Sequence, residues 1–145
     1  MKHKKAHILL VEDNEGDIFL TKEAFEESKI KIELSIVKNG RDALDFIFQQ
    51  NEFKDAERPN LILLDINIPI INGHEVLAKI KTHPEYKKIP VIVLTTSSSN
   101  EDVKMAYSNY ANSYVTKPIN MDDFIKAILR IEDFWLEICT LSDND

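Results

Sequence analysis

The stretch Leu61-Ile62-Leu63-Leu64-Asp65 joins four branched apolar residues to a single aspartate, with no polar residue between them. Two further runs also consist of four branched apolar residues. The three runs are residues 8–11, 61–64 and 91–94. Short, continuous runs of branched apolar residues are typical of strands that are buried on both faces of a parallel sheet. The sequence therefore predicts a sheet with these three runs at its centre.

Weaker strands and amphipathic helices complete the pattern. We predict strands at 33–37 and 113–115, and helices at 17–28, 41–48, 73–81, 100–110 and 121–139. In the first helix Phe19 or Leu20 should face the core, and Asn120 should cap the last helix. Strands and helices alternate without a repeat, so the predicted fold class is α/β: a doubly wound, flavodoxin-like parallel sheet of five strands in the order 2-1-3-4-5, with helices on both faces.

Length, composition and charge limit the class of protein. A chain of 145 residues that is 43% apolar and 30% charged is expected to form one globular domain, over 1–141, followed by a short acidic tail, 142–145, that we expect to be disordered. The net charge of −7, without a basic stripe, argues against nucleic-acid binding. No apolar run approaches the roughly 20 residues of a membrane span, and Cys139 is the only cysteine, so we expect a cytoplasmic protein.

Polar residues follow each of the buried strands at its carboxyl end. Glu12-Asp13 follow the first run, Asp65 the second, Thr95 the third, and Lys117 the last predicted strand. Each one alone would more often be a cap or a turn residue. In the predicted strand order these ends are neighbours, so the side chains should meet. Crowded carboxylates favour a bound Mg²⁺ ion, beside which an aspartate can act as a nucleophile toward phosphorus.

These residues resemble the motif of response-regulator receiver domains of two-component systems, of the kind seen in stand-alone chemotaxis regulators. The matching features are Glu12-Asp13, the D-x-x-x-P-x-x-x-G segment from Asp65 to Gly73, Thr95, and Lys117-Pro118. The order and spacing fit over about residues 5–131. The resemblance thus covers nearly the whole chain.

The resemblance implies a role for each site residue. Asp65 would be the phosphoacceptor and a metal ligand. Asp13 would bind Mg²⁺ directly, Glu12 mainly through water, and Asn67 through its backbone carbonyl. Thr95 and Lys117 would contact the phosphoryl group.

The resemblance also implies a cis bond between Lys117 and Pro118, and a switch. Thr95 would move toward the phosphoryl group while Tyr114 swings inward, although Tyr114 could instead be a half-buried strand aromatic that never moves. The face formed by the fourth helix, fifth strand and fifth helix would then change its affinity for a downstream protein. The expected phosphoryl donor is a sensor histidine kinase or a phosphotransfer protein. Such a protein is a signalling switch, catalysing only its own phosphoryl transfer and slow autodephosphorylation.

The fifth helix is predicted to extend beyond the sheet. Its apolar residues recur in steps of four, three, four and three, and they are Phe124, Ile128, Ile131, Trp135 and Ile138. This is a seam spacing, which leaves two alternatives: the last turn folds back on its own domain, or the helix forms a homodimer. The aromatic end and the long connection 49–60 also resemble the small regulators that are partnered with phytochrome-type kinases.

Other motifs predict no chemistry. The connection 49–60 is interpreted as a surface excursion. The four histidines, His3, His7, His74 and His83, share no metal-ligand spacing, so no zinc site is expected. A haloacid-dehalogenase-like phosphatase would need a second acid where Asn67 stands, and an FMN-binding module would need a phosphate loop where Glu12-Asp13 stand.

Overall fold

The computed structural model describes residues 6–28, 31–118 and 120–138. The predicted acidic tail, 142–145, lies outside them. The elements are β1 (Ala6–Val11), α1 (Glu15–Glu26), β2 (Ile32–Val37), α2 (Gly40–Ile47), β3 (Leu61–Leu64), α3 (Gly73–Lys81), β4 (Val91–Thr95), α4 (Asn100–Ser108), β5 (Ser113–Thr116) and α5 (Met121–Glu132). Short 3₁₀ turns lie at Asn51–Phe53 and Tyr86–Lys88, and a π-helical segment, Asp133–Ile138, follows α5.

The five strands form one parallel sheet in the order β2-β1-β3-β4-β5, which confirms the predicted topology. The three central strands, β1, β3 and β4, are buried along their whole length. Their apolar runs lack alternation because helices cover both of their faces. The parallel register brings the carboxyl ends of β1, β3, β4 and β5 to the same edge of the sheet.

Two hydrophobic layers enclose the sheet. One packs α1 and α5 against alternate strand residues such as Ile8 and Leu63. The other packs α2, α3 and α4 against the intervening residues such as Leu9 and Leu64. The side chains of each strand alternate between the layers, as the period of two requires.

Side-chain caps fix where the helices begin. Asn14 accepts a hydrogen bond from the Asp17 N–H, so α1 begins two residues earlier than predicted. Ile18 is consequently the buried residue of the first turn, whereas Phe19 is 60% exposed and does not face the core. Asn120 caps α5 as predicted, by accepting from two N–H groups of the first turn.

The end of the fifth helix corrects the predicted seam. Phe124, Ile128 and Ile131 are buried in the layer beneath α5, so three of the five seam residues are core residues of their own domain. The α-helix ends at Glu132, and the wider π turn after it breaks the seam spacing. Trp135 packs partly against the same layer. The side chain of Ile138 lies outside the described part of the chain.

The connection 49–60 is mostly exposed, and the ring centre of Phe53 lies 5.5 Å from that of Phe46. Arg58 lies 5.0 Å from the ring centre of Tyr86 and pairs with Glu85. None of the described helices has the length and apolar character needed to cross a membrane.

Candidate functional site

The carboxyl edge of the sheet gathers the predicted site residues into one cleft. Glu12 and Asp13 follow β1, Asp65 follows β3, Thr95 ends β4 and Lys117 follows β5. Apart from the exposed Asp13, they are among the few buried polar residues of the described chain. Burial of so many polar groups costs free energy unless they serve one another or a ligand.

Three of these side chains form a carboxylate cluster suited to a cation. One oxygen each from Glu12, Asp13 and Asp65 lies within 4.8 Å of the others. Carboxylate oxygens are the ligands that Mg²⁺ prefers, typically with water completing the shell. The donor set therefore fits a hard divalent cation.

Lys117 links the carboxylates into a network. Its Nζ donates to Asp65 Oδ2 at 3.0 Å, to Asp17 Oδ2 at 2.8 Å, and to Glu12 Oε1. Three carboxylates thus bond to one ammonium group, and Asp13 adds a fourth carboxylate to the cluster. The excess negative charge is a second reason why a divalent cation fits here.

Asp17 is a member of this network that the sequence analysis missed. It lies in the first turn of α1, where its N–H donates to the Asn14 cap. Acidic residues are common in the first turn of a helix because they interact favourably with the helix dipole. The sequence therefore gives no sign that Asp17 belongs to the cleft. The contact with Lys117 becomes evident only when β5 is placed beside β4.

Burial controls the protonation of Glu12. Desolvation raises the pKa of its carboxyl to about 7, although the hydrogen bond from Lys117 opposes the rise. For Lys117, burial alone would lower the pKa, but hydrogen bonds to Asp17 and Glu12 outweigh it and hold the pKa above its usual value. Lys117 is therefore a fixed positive charge, whereas Glu12 is charged or neutral depending on what lies beside it.

The backbone around Asp65 holds its carboxylate in place. The Asp65 N–H donates to the carbonyl of Val11, at 3.1 Å, and the Asn67 N–H donates to Asp65 Oδ1, at 3.0 Å. Helix α3 begins against this segment at Gly73, where a Cβ atom would stand 2.5 Å from the Asp65 carbonyl oxygen. The glycine of the D-x-x-x-P-x-x-x-G segment is thus required by a close backbone approach.

Thr95 has an unused hydroxyl. The residue is fully buried, and its Oγ1 has no hydrogen-bond partner. Buried hydroxyls without partners are rare and call for an explanation. Because Thr95 ends β4 beside Asp65, its hydroxyl could form a hydrogen bond with a group attached to the Asp65 carboxylate.

A chain of polar contacts leads from this edge to the fourth helix. Tyr114 O–H donates to the carbonyl of Ser97 at 2.7 Å, and the Ser97 hydroxyl bonds to Asp102 in α4. His74 Nε2 of α3 lies 3.0 Å from the same carboxylate. Hydrogen bonds from Ser97 and His74 lower the pKa of Asp102. Tyr114 is thus joined to the loop that follows Thr95.

The predicted cis bond is wrong. No peptide bond among the described residues is cis, so Lys117-Pro118 is trans. The trans form is the default, by about 0.5–1 kcal/mol, unless the surrounding chain demands the other isomer. In the trans form the Lys117 N–H already donates to the Thr95 carbonyl, at 2.7 Å, and the side chain already reaches its carboxylates.

Comparison with known proteins gives consistent matches over most of the chain. The family model of the response regulator receiver domain matches residues 8–129. Response regulator Rcp1 of Synechocystis sp. is 48% identical over 134 residues, which are 92% of this chain and 91% of that protein.

Solved structures resemble the whole fold. The phosphorylated cyanobacterial phytochrome response regulator RcpA superposes with a TM-score of 0.94 at 41% identity, covering 97% of this chain and all of that one. The Mn²⁺-bound form of Rcp1 gives a TM-score of 0.92 at 47% identity, covering 95% and 99% of the two chains. One of these relatives thus carries a phosphoryl group and the other a divalent cation.

Proposed function

The chain belongs to the response regulator receiver domain family of two-component systems, and we propose that it is a switch in which Asp65 accepts a phosphoryl group from a sensor histidine kinase or a phosphotransfer protein. The observation that carries this proposal is the cleft itself. A nearly buried aspartate lies between a cation-compatible carboxylate cluster, a lysine and an unpaired buried hydroxyl.

The reaction needs little beyond positioning. One carboxylate oxygen of Asp65 forms a bond to phosphorus as the phosphorus–nitrogen bond to the donor histidine breaks, giving an aspartyl phosphate. The hydrogen bond from the Asn67 N–H fixes the orientation of the carboxylate before the donor arrives. Such preorganisation lowers the entropic cost of the transfer.

Mg²⁺ is the proposed cofactor. Asp13, Asp65 and the backbone carbonyl of Asn67 would hold it, with Glu12 acting mainly through water. When bound, the cation neutralises the charge that collects on the phosphoryl oxygens. The bound divalent cation in the Rcp1 relative supports this assignment.

Lys117 and Thr95 are proposed to donate hydrogen bonds to the oxygens of the phosphoryl group on Asp65. Lys117 already donates to Asp65 Oδ2, so its ammonium needs only a small shift to donate to a phosphoryl oxygen. The Thr95 hydroxyl has no competing partner and can donate without breaking a contact. The new bond is therefore formed at little cost.

Movement of Thr95 is the proposed start of the switch. The loop after β4 carries Ser97, whose carbonyl accepts from Tyr114 and whose hydroxyl bonds to Asp102. A shift of Thr95 would be transmitted to Tyr114 and α4, changing the face formed by α4, β5 and α5 for a downstream protein. Relatives described as phytochrome response regulators support a phytochrome-type kinase as the phosphoryl donor. The cytoplasm is the proposed location.

Transfer to Asp65 is tested by mass spectrometry of the intact chain. With Mg²⁺ and acetyl phosphate the protein should gain about 80 Da, the mass of HPO₃. Asp65→Asn should gain nothing, whereas Asp122→Asn, which removes an exposed carboxylate of α5, should still gain it. An adduct that persists in Asp65→Asn would place the acceptor elsewhere. Sustained release of phosphate from a phosphomonoester would favour a phosphatase instead.

We also propose a homodimer through the end of the fifth helix, with fewer interface residues than the five of the predicted seam. With Phe124, Ile128 and Ile131 buried, the exposed aromatic residue is Phe134, whose ring centre lies 5.4 Å from that of the half-buried Trp135. Phe134 is 46% exposed.

The dimer is tested by light scattering with and without phosphorylation. We expect a mass of two chains, reduced to one by Phe134→Ser. Met121→Ser, at the start of α5, where the side chain is even more exposed (61%), should leave the mass unchanged. A monomer in every condition would refute the dimer without affecting the role of Asp65.

A further inference from the structure

We propose a second divalent-cation site, suited to Zn²⁺, formed by His7, Glu33 and Glu57 at the amino edge of the sheet. This edge lies opposite the cleft that contains Asp65, because His7 and Glu33 are the second residues of their strands. The site is independent of phosphorylation.

The three side chains converge although they are far apart in sequence. A ring nitrogen of His7 and one carboxylate oxygen each of Glu33 and Glu57 lie within 4.8 Å of one another. His7 and Glu33 are direct register partners in the β1–β2 pair, so both side chains project from the same face. Glu57 reaches them from the connection that precedes β3.

The imidazole of His7 has a buried ring nitrogen that is suited to bind a metal. The residue is only 4% exposed, and its Nδ1 is buried without a hydrogen-bond partner. A buried ring nitrogen without a partner is unusual in a core. Coordination of a cation by Nδ1 gives this nitrogen the partner that it lacks.

Ser35 supplies the supporting contact. The other ring nitrogen of His7, Nε2, lies 2.8 Å from Ser35 Oγ. With the proton on Nε2 and donated to Ser35, the lone pair remains on Nδ1, where a metal requires it. Metal-binding histidines characteristically donate their second ring N–H to such a partner.

The two glutamates provide the charge. Within the described chain neither the Glu33 nor the Glu57 carboxylate has a hydrogen bond or an ion pair, and both residues are exposed. Two carboxylates close to each other repel unless a cation lies between them. Exposure leaves an entry path and room for a water molecule as fourth ligand.

The donor set selects the metal. One imidazole and two carboxylates with an open position form a combination that zinc accepts, whereas Mg²⁺ and Ca²⁺ prefer oxygen donors alone. The bound ion would clamp the connection 49–60 to β1 and β2. That gives chemistry to a segment which the sequence analysis interpreted as a plain surface excursion.

The test is calorimetric titration of the full chain with zinc chloride. Asp13→Asn and Asp65→Asn are introduced first, so that the phosphorylation site does not take up zinc. This parent should bind one Zn²⁺. His7→Gln, Glu33→Gln and Glu57→Gln should each weaken binding by at least about tenfold to 100-fold. Because the two glutamates are exposed, their variants keep the proposal testable even if His7→Gln fails to fold.

Matched controls separate this site from general zinc binding. His3→Gln, which removes another histidine near the N-terminus, and Glu52→Gln, which removes another acid of the same connection, should leave the affinity unchanged. Ser35→Ala should weaken binding by about tenfold, and Ser35→Thr, which retains the hydroxyl, should restore it. Absence of saturable zinc binding by the parent would overturn the proposal. It would also be overturned if the Glu33→Gln and Glu57→Gln variants bound zinc as tightly as the parent.

Discussion

Among the single residues of the cleft, Glu12 has a carboxyl whose charge near neutral pH depends on its surroundings. Desolvation raises the pKa of its carboxyl to about 7, against the opposing hydrogen bond from Lys117. A proton and a cation then compete for the same group. Near neutral pH the proposed metal site is therefore also a proton site.

The affinity for Mg²⁺ should consequently fall as the pH falls through about 7. The protonated carboxyl has lost the charge that attracts the cation. The affinity for Mg²⁺ should therefore decrease below this pH, by up to about tenfold per pH unit. Calorimetry across this range, which also measures the released protons, checks the prediction. Glu12→Gln should bind weakly with little dependence on pH. An affinity of the native chain that stays constant would contradict the assigned pKa.

At the scale of elements, the start of α3 is held closer to β3 than an alanine would permit. The Gly73 N–H donates to the carbonyl of Ile66 at 2.8 Å, and a Cβ atom on Gly73 would stand 2.5 Å from Asp65 O and from Ile66 Cα. The obstacle is backbone on both sides, which cannot move aside as a flexible side chain can. Helix packing therefore sets the position of the segment that begins at Asp65.

Gly73→Ala should lower the free energy of unfolding by about 1–3 kcal/mol, as overpacking does. Helix propensity alone would favour alanine by about 1 kcal/mol, so the sign of the change distinguishes the two effects. Urea unfolding measures it. In the matched variant Gly16→Ala, the nearest obstacle is the side chain of Asn14 at 3.2 Å, and stability should stay within about 1 kcal/mol of the parent. Equal stabilisation by both changes would refute the close approach.

On the scale of the whole molecule, polar contacts connect the loop that follows Thr95 to the first turn of α4. Thr95 ends β4, Ser97 follows in the loop, and Tyr114 and Asp102 bond to Ser97 from β5 and α4. Each link is short and involves a buried or half-buried group. A change at Asp65 thus has a physical route to the surface proposed for the downstream partner.

Thr95→Val tests that route, because valine matches the shape of threonine without its hydroxyl. Phosphorylation of Asp65 should still add its mass, but the change in amide hydrogen exchange over α4 and β5 should be lost. Thr95→Ser, which retains the hydroxyl, should preserve the change. If Thr95→Val responds like the native chain, the hydroxyl plays no part in the switch.

The sequence by itself determined the layered α/β fold, the strand order and the gathering of Glu12, Asp13, Asp65, Thr95 and Lys117 at one edge. It could do so because buried parallel strands have a distinctive composition and their carboxyl ends always meet. Only the tertiary structure brought Asp17 to Lys117 and buried Phe124, Ile128 and Ile131 of α5 in their own domain. It alone placed His7 beside Glu33 and Glu57. These outcomes depend on packing between segments distant in the chain, and local spacing carries no record of such contacts.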